Sequence, residues 1–188
     1  FIAAEMKHKF KLLGLICVLV TGAYLMNSCV GLPDGIKPVE GFQKDKYLGK
    51  WYEIARLDHS FERGLSQVTA EYSMRDDGGI KVVNRGYNEA KGEWSEAIGK
   101  AYFVKTPDVA HLKVSFFGPF YGSYAVFELD EKDYQYAYIT SYNRKYLWFL
   151  SRKPIVTDSE RSKFLNMAKE LGFDVDELIF VDQSKKNK

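Results

Sequence analysis

The sequence predicts an all-β fold: an eight-stranded antiparallel up-and-down barrel, with a C-terminal α-helix packed outside it and a short final strand. Three observations carry this prediction. Between residues 47 and 152, eight runs rich in aromatic and β-branched residues follow one another at regular spacing. Short Gly-, Pro-, Asp- and Asn-containing turns join them, and none of the connections has helical periodicity. A meander of that length leaves two unpaired edges, and closure into a barrel removes both.

The chain begins with a segment that is set aside before fold reasoning. Residues 1–28 contain a basic stretch with Lys7, Lys9 and Lys11, then an apolar run from Leu12 to Tyr24. That run is of signal-peptide length and short for a membrane span. Leu25-Met26-Asn27-Ser28-Cys29 follows, a small residue directly before a cysteine. This pattern is similar to a bacterial lipoprotein signal, with Met6 as the native start and Cys29 as a lipid-modified N-terminus after cleavage. An uncleaved N-terminal membrane anchor is the alternative. The segment holds three of the 27 Lys and Arg and one of the 25 Asp and Glu, so 24 of each remain after cleavage. A neutral remainder gives no electrostatic case for nucleic acid as a partner. Cys17 and Cys29 are the two cysteines. With Cys17 removed and Cys29 acylated, neither a disulfide nor a thiolate metal site is available, so stability rests on the core of a single domain.

Residues 29–46 contain Pro33, Gly35, Pro38 and Gly41 and read as a tether and leading loop. The barrel domain is assigned to residues 47–183 and a polar tail to 184–188. Tyr47 to Arg56 is the first strand. Alternation places Trp51, Glu53 and Ala55 on one face and Tyr52, Ile54 and Arg56 on the other. Gly49 lets the backbone pass close to the Trp51 indole. Leu57–Ser66 is a loop at the open mouth, where Phe61 and Leu65 either cover the entrance or belong to an ordinary solvated hairpin loop. Gln67–Met74 turns at Asp76-Asp77-Gly78-Gly79 and returns as Ile80–Tyr87, and Asp-Gly between alternating runs is a strong hairpin signal. Trp94–Lys105, His111–Phe117, Tyr124–Leu129, Tyr134–Ser141 and Tyr146–Arg152 complete the eight. After Pro154, Thr157-Asp158-Ser159-Glu160 has the form of a capping box. It opens a helix that runs to about Leu171 and stops at Gly172. Phe164, Met167, Ala168 and Leu171 share one face of that helix, the face expected to pack on the barrel. Glu177–Asp182 is the final strand.

Gly49-x-Trp51 near the start and a strand-ending Arg152 about a hundred residues later together resemble the lipocalin family. The run from Gly49 to Gly64, the Arg75-Asp76-Asp77-Gly78-Gly79 turn and Phe116-Phe117-Gly118-Pro119-Phe120-Tyr121-Gly122 resemble its bacterial outer-membrane branch and, more distantly, apolipoprotein D. The resemblance covers residues 38–183 and implies a cation–π contact of Arg152 over Trp51 at the floor of the barrel. A second family motif is present only in part. Asp130 keeps its acidic position, but the tyrosine is displaced to Tyr134 and the threonine is absent. The resemblance also implies which side chains point inward. These are Val82 and Asn84; Ala97, Gly99, Ala101 and Phe103; Leu112, Val114 and Phe116; Tyr124, Val126 and Glu128; Ala137 and Ile139; and Tyr146, Trp148 and Leu150. Several are small, which leaves room inside, and the rest are mostly apolar or aromatic, as suits an acyl chain with a polar head. The other reading is a core around a small dry void.

Catalysis has little support in the sequence. There is no Gly-x-Ser-x-Gly elbow, no His-Glu-x-x-His and no glycine-rich phosphate loop. His111 reads as a surface residue, and His59 lies in the mouth loop between Asp58 and Glu62. Glu53 and Glu128 are the inward carboxylates, each expected to bind an arginine such as Arg56 or Arg152. The resemblance therefore implies a non-enzymatic, lipid-anchored outer-membrane protein of a bacterial envelope, without cofactor or metal. Its expected partners are a fatty acid or lysophospholipid, the membrane and a second copy of the chain. The ligand set is Phe61, Val82, Asn84, Ala101, Phe103, Leu112, Val114, Phe116, Tyr124, Val126, Ile139, Tyr146 and Trp148, with the head group met by Asn84 or a mouth residue. An envelope scaffold with an incidental pocket is the rival class.

Overall fold

The computed structural model describes residues 30–184. Cys29, the signal-like segment and the end of the lysine-rich tail lie outside the described residues.

A one-turn helix α1 (Lys44–Tyr47) leads into eight strands: β1 (Gly49–Leu57), β2 (Leu65–Met74), β3 (Ile80–Asn88), β4 (Glu93–Phe103), β5 (His111–Ser115), β6 (Gly122–Leu129), β7 (Tyr136–Thr140) and β8 (Leu147–Ser151). Helix α2 (Asp158–Glu170), a 3₁₀ turn (Val175–Glu177) and strand β9 (Leu178–Phe180) follow. Consecutive strands pair antiparallel from β2 through β8, β8 pairs with β1, and β1 returns to β2, so the sheet closes. Eight strands give an interior wide enough for side chains or one small ligand.

The ring is not closed evenly. Only Gly49–Tyr52 of β1 pair with β2. Above them the two strands part, and the C-terminal segment fills the seam. β9 pairs with Ala55–Leu57. Gln67 N–H donates to the Asp182 carbonyl, and the Gln183 amide donates to the carbonyls of Glu53 and Val68, at 2.8 Å each. The C-terminal segment, outside the barrel proper, is therefore part of its wall.

Two cores result. Inside the barrel lie Trp51, Tyr72, Ile80, Val82, Leu112, Val126, Ile139 and Leu150, with Phe42 and Tyr47 from the leading segment. Outside it, Phe164 and Ala168 of α2 pack on Tyr138, Leu147 and Phe149. The capping box forms: Thr157 Oγ1 accepts from the Glu160 N–H, and the Glu160 carboxylate accepts from the Thr157 N–H. A full box satisfies donors that the helix itself cannot.

Three expectations are corrected here. Residues 30–46 do not form a free tether: Ile36 and Phe42 are buried. Val39 also exchanges backbone hydrogen bonds with Ala110 and Val126, so the segment is laid across the wall and floor. Strict alternation fails in β1, because a register shift between Glu53 and Ala55 turns Arg56 to the same side as Glu53 and leaves Ala55 in the outer core. A second shift between Val126 and Glu128 turns Glu128 outward. There it accepts from Lys163 of α2 at 2.9 Å and from Tyr136 at 3.0 Å. A bulge adds one residue to one strand and reverses every side chain beyond it.

Candidate functional site

The ends of the barrel differ in construction. At the end where β1 begins, the Arg152 guanidinium lies 3.8 Å from the centroid of the Trp51 ring. Its nitrogens donate to the carbonyls of Lys46, Leu48, Lys50 and Tyr134 at 2.7–3.3 Å. Trp51 is fully buried, and its Nε1 donates to the Tyr47 carbonyl at 2.8 Å. Gly49 sits at φ +91°, a conformation that L side chains rarely adopt. That backbone angle, rather than a close approach to the indole, is what glycine supplies. A Cβ there would meet only Arg152 Nη1, at 3.5 Å. Phe42, Tyr47 and Tyr134 pack across the floor with tilted rings. Asp130 orders the neighbouring turn by accepting from the Gln135 N–H. Tyr134 returns the chain at φ +53°, its ring buried in the floor.

Above the floor, three hydroxyls are chained: Tyr47 to Tyr124 at 2.6 Å and Tyr72 to Tyr124 at 2.8 Å. Burial, before any neighbour, pushes the pKa of all three phenols above the ordinary tyrosine value, so they serve as neutral hydrogen-bonding groups.

The walls carry the expected ligand set. Val82, Ala101, Leu112, Val126 and Ile139 point inward and are buried. Phe103, Val114, Phe116, Tyr124 and Trp148 pack on the same inner core yet are only half-buried. Inward side chains that keep accessible surface face an open interior. Asn84 is half-buried, and its Oδ1 has no hydrogen-bond partner. Gly99 does not create room as expected. A Cβ on Gly99 would lie 2.9 Å from the Phe116 ring, so that aromatic fills the place glycine leaves. Ala97 is exposed.

The open end holds a cluster that the sequence reading only touched. Arg56 is 1% exposed. Its Nη1 donates to Glu53 Oε1 at 2.7 Å, and its Nη2 to the carbonyls of Glu62 and Leu65 at 2.8 and 3.1 Å. Glu62 folds inward from the β1–β2 loop, and its Oε2 accepts from Trp148 Nε1 at 3.1 Å. His59 Nε2 is 3.3 Å from the same oxygen. The His59 ring stacks on Phe61 at 4.1 Å and stands 5.0 and 5.8 Å from Trp148 and Tyr146. Burial raises the pKa of Glu53, with the Glu62 charge adding to it and Arg56 opposing. Burial also raises Glu62, against the Trp148 hydrogen bond and Arg56. Burial first, and then Arg56, push His59 down to about 4, so the ring is neutral at pH 7. Arg56 Nε and both His59 nitrogens have no hydrogen-bond partner. Phe61 and Tyr146 line the rim. Glu53 meets Arg56 as one of the expected arginines, but the bulge that makes this inward contact has no signature in an alternating pattern.

His111 is a correction. It is 7% exposed, with Nε2 3.0 Å from Ser123 Oγ and the backbone of Val30 against its ring. The leading segment covers it on the outer wall, away from the interior. Among the described residues, no group of three or more His, Cys, Asp or Glu side chains converges as metal ligands.

A barrel with one sealed and one open end has known counterparts. The lipocalin-like domain model matches residues 42–183. The chain is 61% identical over 165 residues to the outer membrane lipoprotein Blc of Vibrio cholerae serotype O1, covering 88% of this chain and 96% of that one. It is 29% identical over 150 residues to apolipoprotein D of Bos taurus, covering 77% and 78% of the two chains. Among solved structures, insecticyanin from the tobacco hornworm Manduca sexta superposes with a TM-score of 0.64 at 22% identity, covering 82% of this chain and 88% of that one.

Proposed function

The chain belongs to the lipocalin family, and from that premise we propose that it is a lipid-anchored protein of the bacterial outer membrane. It binds a fatty acid or lysophospholipid in the barrel and stores or carries it for membrane maintenance. One observation supports this above the rest. Phe103, Val114, Phe116, Tyr124 and Trp148 pack on the inner core above the sealed floor and keep part of their surface accessible. An acyl chain there gains about 0.8 kcal/mol per buried CH₂, so a long tail binds with few polar contacts. The head group stays near the open end, where the unpartnered atoms of Asn84, Arg56 and His59 lie. The similarity to a protein named outer membrane lipoprotein supports Cys29 as the acylated residue and the envelope as the location.

The same geometry favours binding over catalysis. His59 is neutral, and the carboxylate beside it, Glu62, has its own proton affinity raised. No hydroxyl or thiol nucleophile is hydrogen-bonded to it. Native mass spectrometry of delipidated protein with a lysophospholipid tests the reading. One adduct per chain, weakened by Trp148→Ala, is expected. No adduct across common acyl lipids would leave the scaffold reading in its place.

A further inference from the structure

Among the described residues, five of the nine exposed large apolar side chains lie at one end. Strand direction puts the loops after β1, β3, β5 and β7 at the open rim. Phe61, Phe117, Phe120 and Tyr142 stand on those loops, and Trp94 stands at the head of β4. The remaining exposed large apolar residues are scattered over the walls and the closed end.

The β5–β6 hairpin is the most pronounced part. Phe117 is 81% exposed and Phe120 76%. Residues 116–121 hold four aromatic rings and no charge. Just behind the tip, the Lys113 ammonium lies 5.1 Å from the Tyr121 ring centroid. Aromatic rings in front of a lysine whose stem can reach past them match the layered polarity of a membrane–water interface. Loops 58–64, 89–92, 116–121 and 141–146 together hold Asp58, Glu62 and Glu89 against Arg63, Lys91, Arg144 and Lys145. This near-neutral rim suits a surface of mixed head groups.

The described chain starts at the other end of the same hairpin. The Val30 backbone lies against the His111 ring, at the base of this hairpin. His111 begins β5, and six residues at ~3.3 Å each separate it from Phe117, about 20 Å. Val30 directly follows Cys29 in the sequence, so the described fold begins about one hairpin length from the aromatic tip.

We propose that the Phe117–Phe120 tip of the β5–β6 hairpin docks into a phospholipid bilayer, so that the barrel mouth opens onto the membrane to which the chain is tethered. This rests on the reading of Cys29 as acylated and of the interior as an acyl-lipid site. Docking shortens the path of a lipid from bilayer to barrel and holds the mouth at head-group depth. The apolar tip is inserted by burial of its rings, without need of net charge.

The test uses the lipidated protein purified from its host and reconstituted in vesicles of phosphatidylethanolamine and phosphatidylglycerol. A nitroxide is attached at Phe117→Cys and, separately, at Asp76→Cys in the β2–β3 turn of the closed end. The label at 117 is expected to be accessible to oxygen and shielded from a water-soluble nickel chelate, and the label at 76 to be accessible to the chelate. Equal access of the chelate to both labels would overturn the proposal. In a second arm, Phe117→Ser/Phe120→Ser is expected to slow lysophospholipid uptake from vesicles several-fold while leaving affinity for dispersed lysophospholipid unchanged. Unchanged uptake from vesicles would also overturn it. If dispersed lysophospholipid fails to bind while the label at 117 lies in lipid, the carrier reading falls and docking stands.

Discussion

The two ends of the barrel are made from similar residues to opposite effect. Each has an arginine, a tryptophan and several aromatic rings. At the closed end, Arg152 donates to four carbonyls and covers Trp51, and Trp51 donates to Tyr47. At the open end, Arg56 is buried with Nη1 on the Glu53 carboxylate and Nη2 on two backbone carbonyls, its Nε is unpartnered, and neither His59 nitrogen makes a hydrogen bond. Burying polar groups without partners costs free energy. The closed end is therefore built for stability, and the open end keeps unmet hydrogen-bonding capacity where a ligand's head would lie.

That contrast can be broken by substitution. The largest effect is expected from Arg56→Ala, which leaves Glu53 and Glu62 buried without their cation. Removing one partner of a buried pair costs about 3–5 kcal/mol, and denaturant unfolding checks it. The double change Arg56→Met/Glu53→Leu should recover most of that loss, and if it does not, the pair is more than a charge-balancing device. Arg152→Ala should cost about 2 kcal/mol through the cation–π contact and the orphaned carbonyls, without altering lipid affinity. Trp148→Ala should do the reverse, lowering lipid affinity roughly ten- to a hundredfold with a smaller effect on melting.

The smallest effect is on pH dependence, and its sign follows from burial. His59 has its pKa lowered from 6.5 to about 4. Between those values the unfolded chain binds the proton and the folded chain does not. Its contribution is thus present above pH 6.5 and is lost as pH falls toward 4. Glu53 and Glu62 have raised pKa values and act oppositely, contributing stability at low pH that is lost as pH rises through their folded values. His59→Gln should therefore flatten the decline in stability between pH 6.5 and 4 seen by thermal melts. An unchanged slope would place its origin elsewhere.

Much of the closed end was legible in the sequence, because its signals are local or repeated. The strand order, the Asp77-Gly78 hairpin and the Thr157–Glu160 capping box all stand in the structure. The open end was less legible for three physical reasons. Bulges after Glu53 and Val126 reverse the facing of Arg56 and Glu128 without disturbing the residue pattern. Glu62 and His59 sit in a loop, where alternation says nothing about burial. The covering of His111 depends on residues 30–39, whose Pro and Gly content reads as a linker although they pack on the wall. The filling of the β1–β2 seam by Gln183 is similarly a long-range event. Phe116 over Gly99 shows why counting small residues misjudges a cavity: the space a glycine leaves belongs to whichever neighbour reaches it first.

The central claim is that the open interior beside Val114 and Trp148 holds one acyl chain. Val114→Trp should fill that space from the wall without touching the floor. Calorimetric titration of delipidated protein with a lysophospholipid is predicted to show one saturable site per chain in the unaltered protein, and its loss in Val114→Trp with the melting transition retained. Equal binding by both proteins would contradict the account.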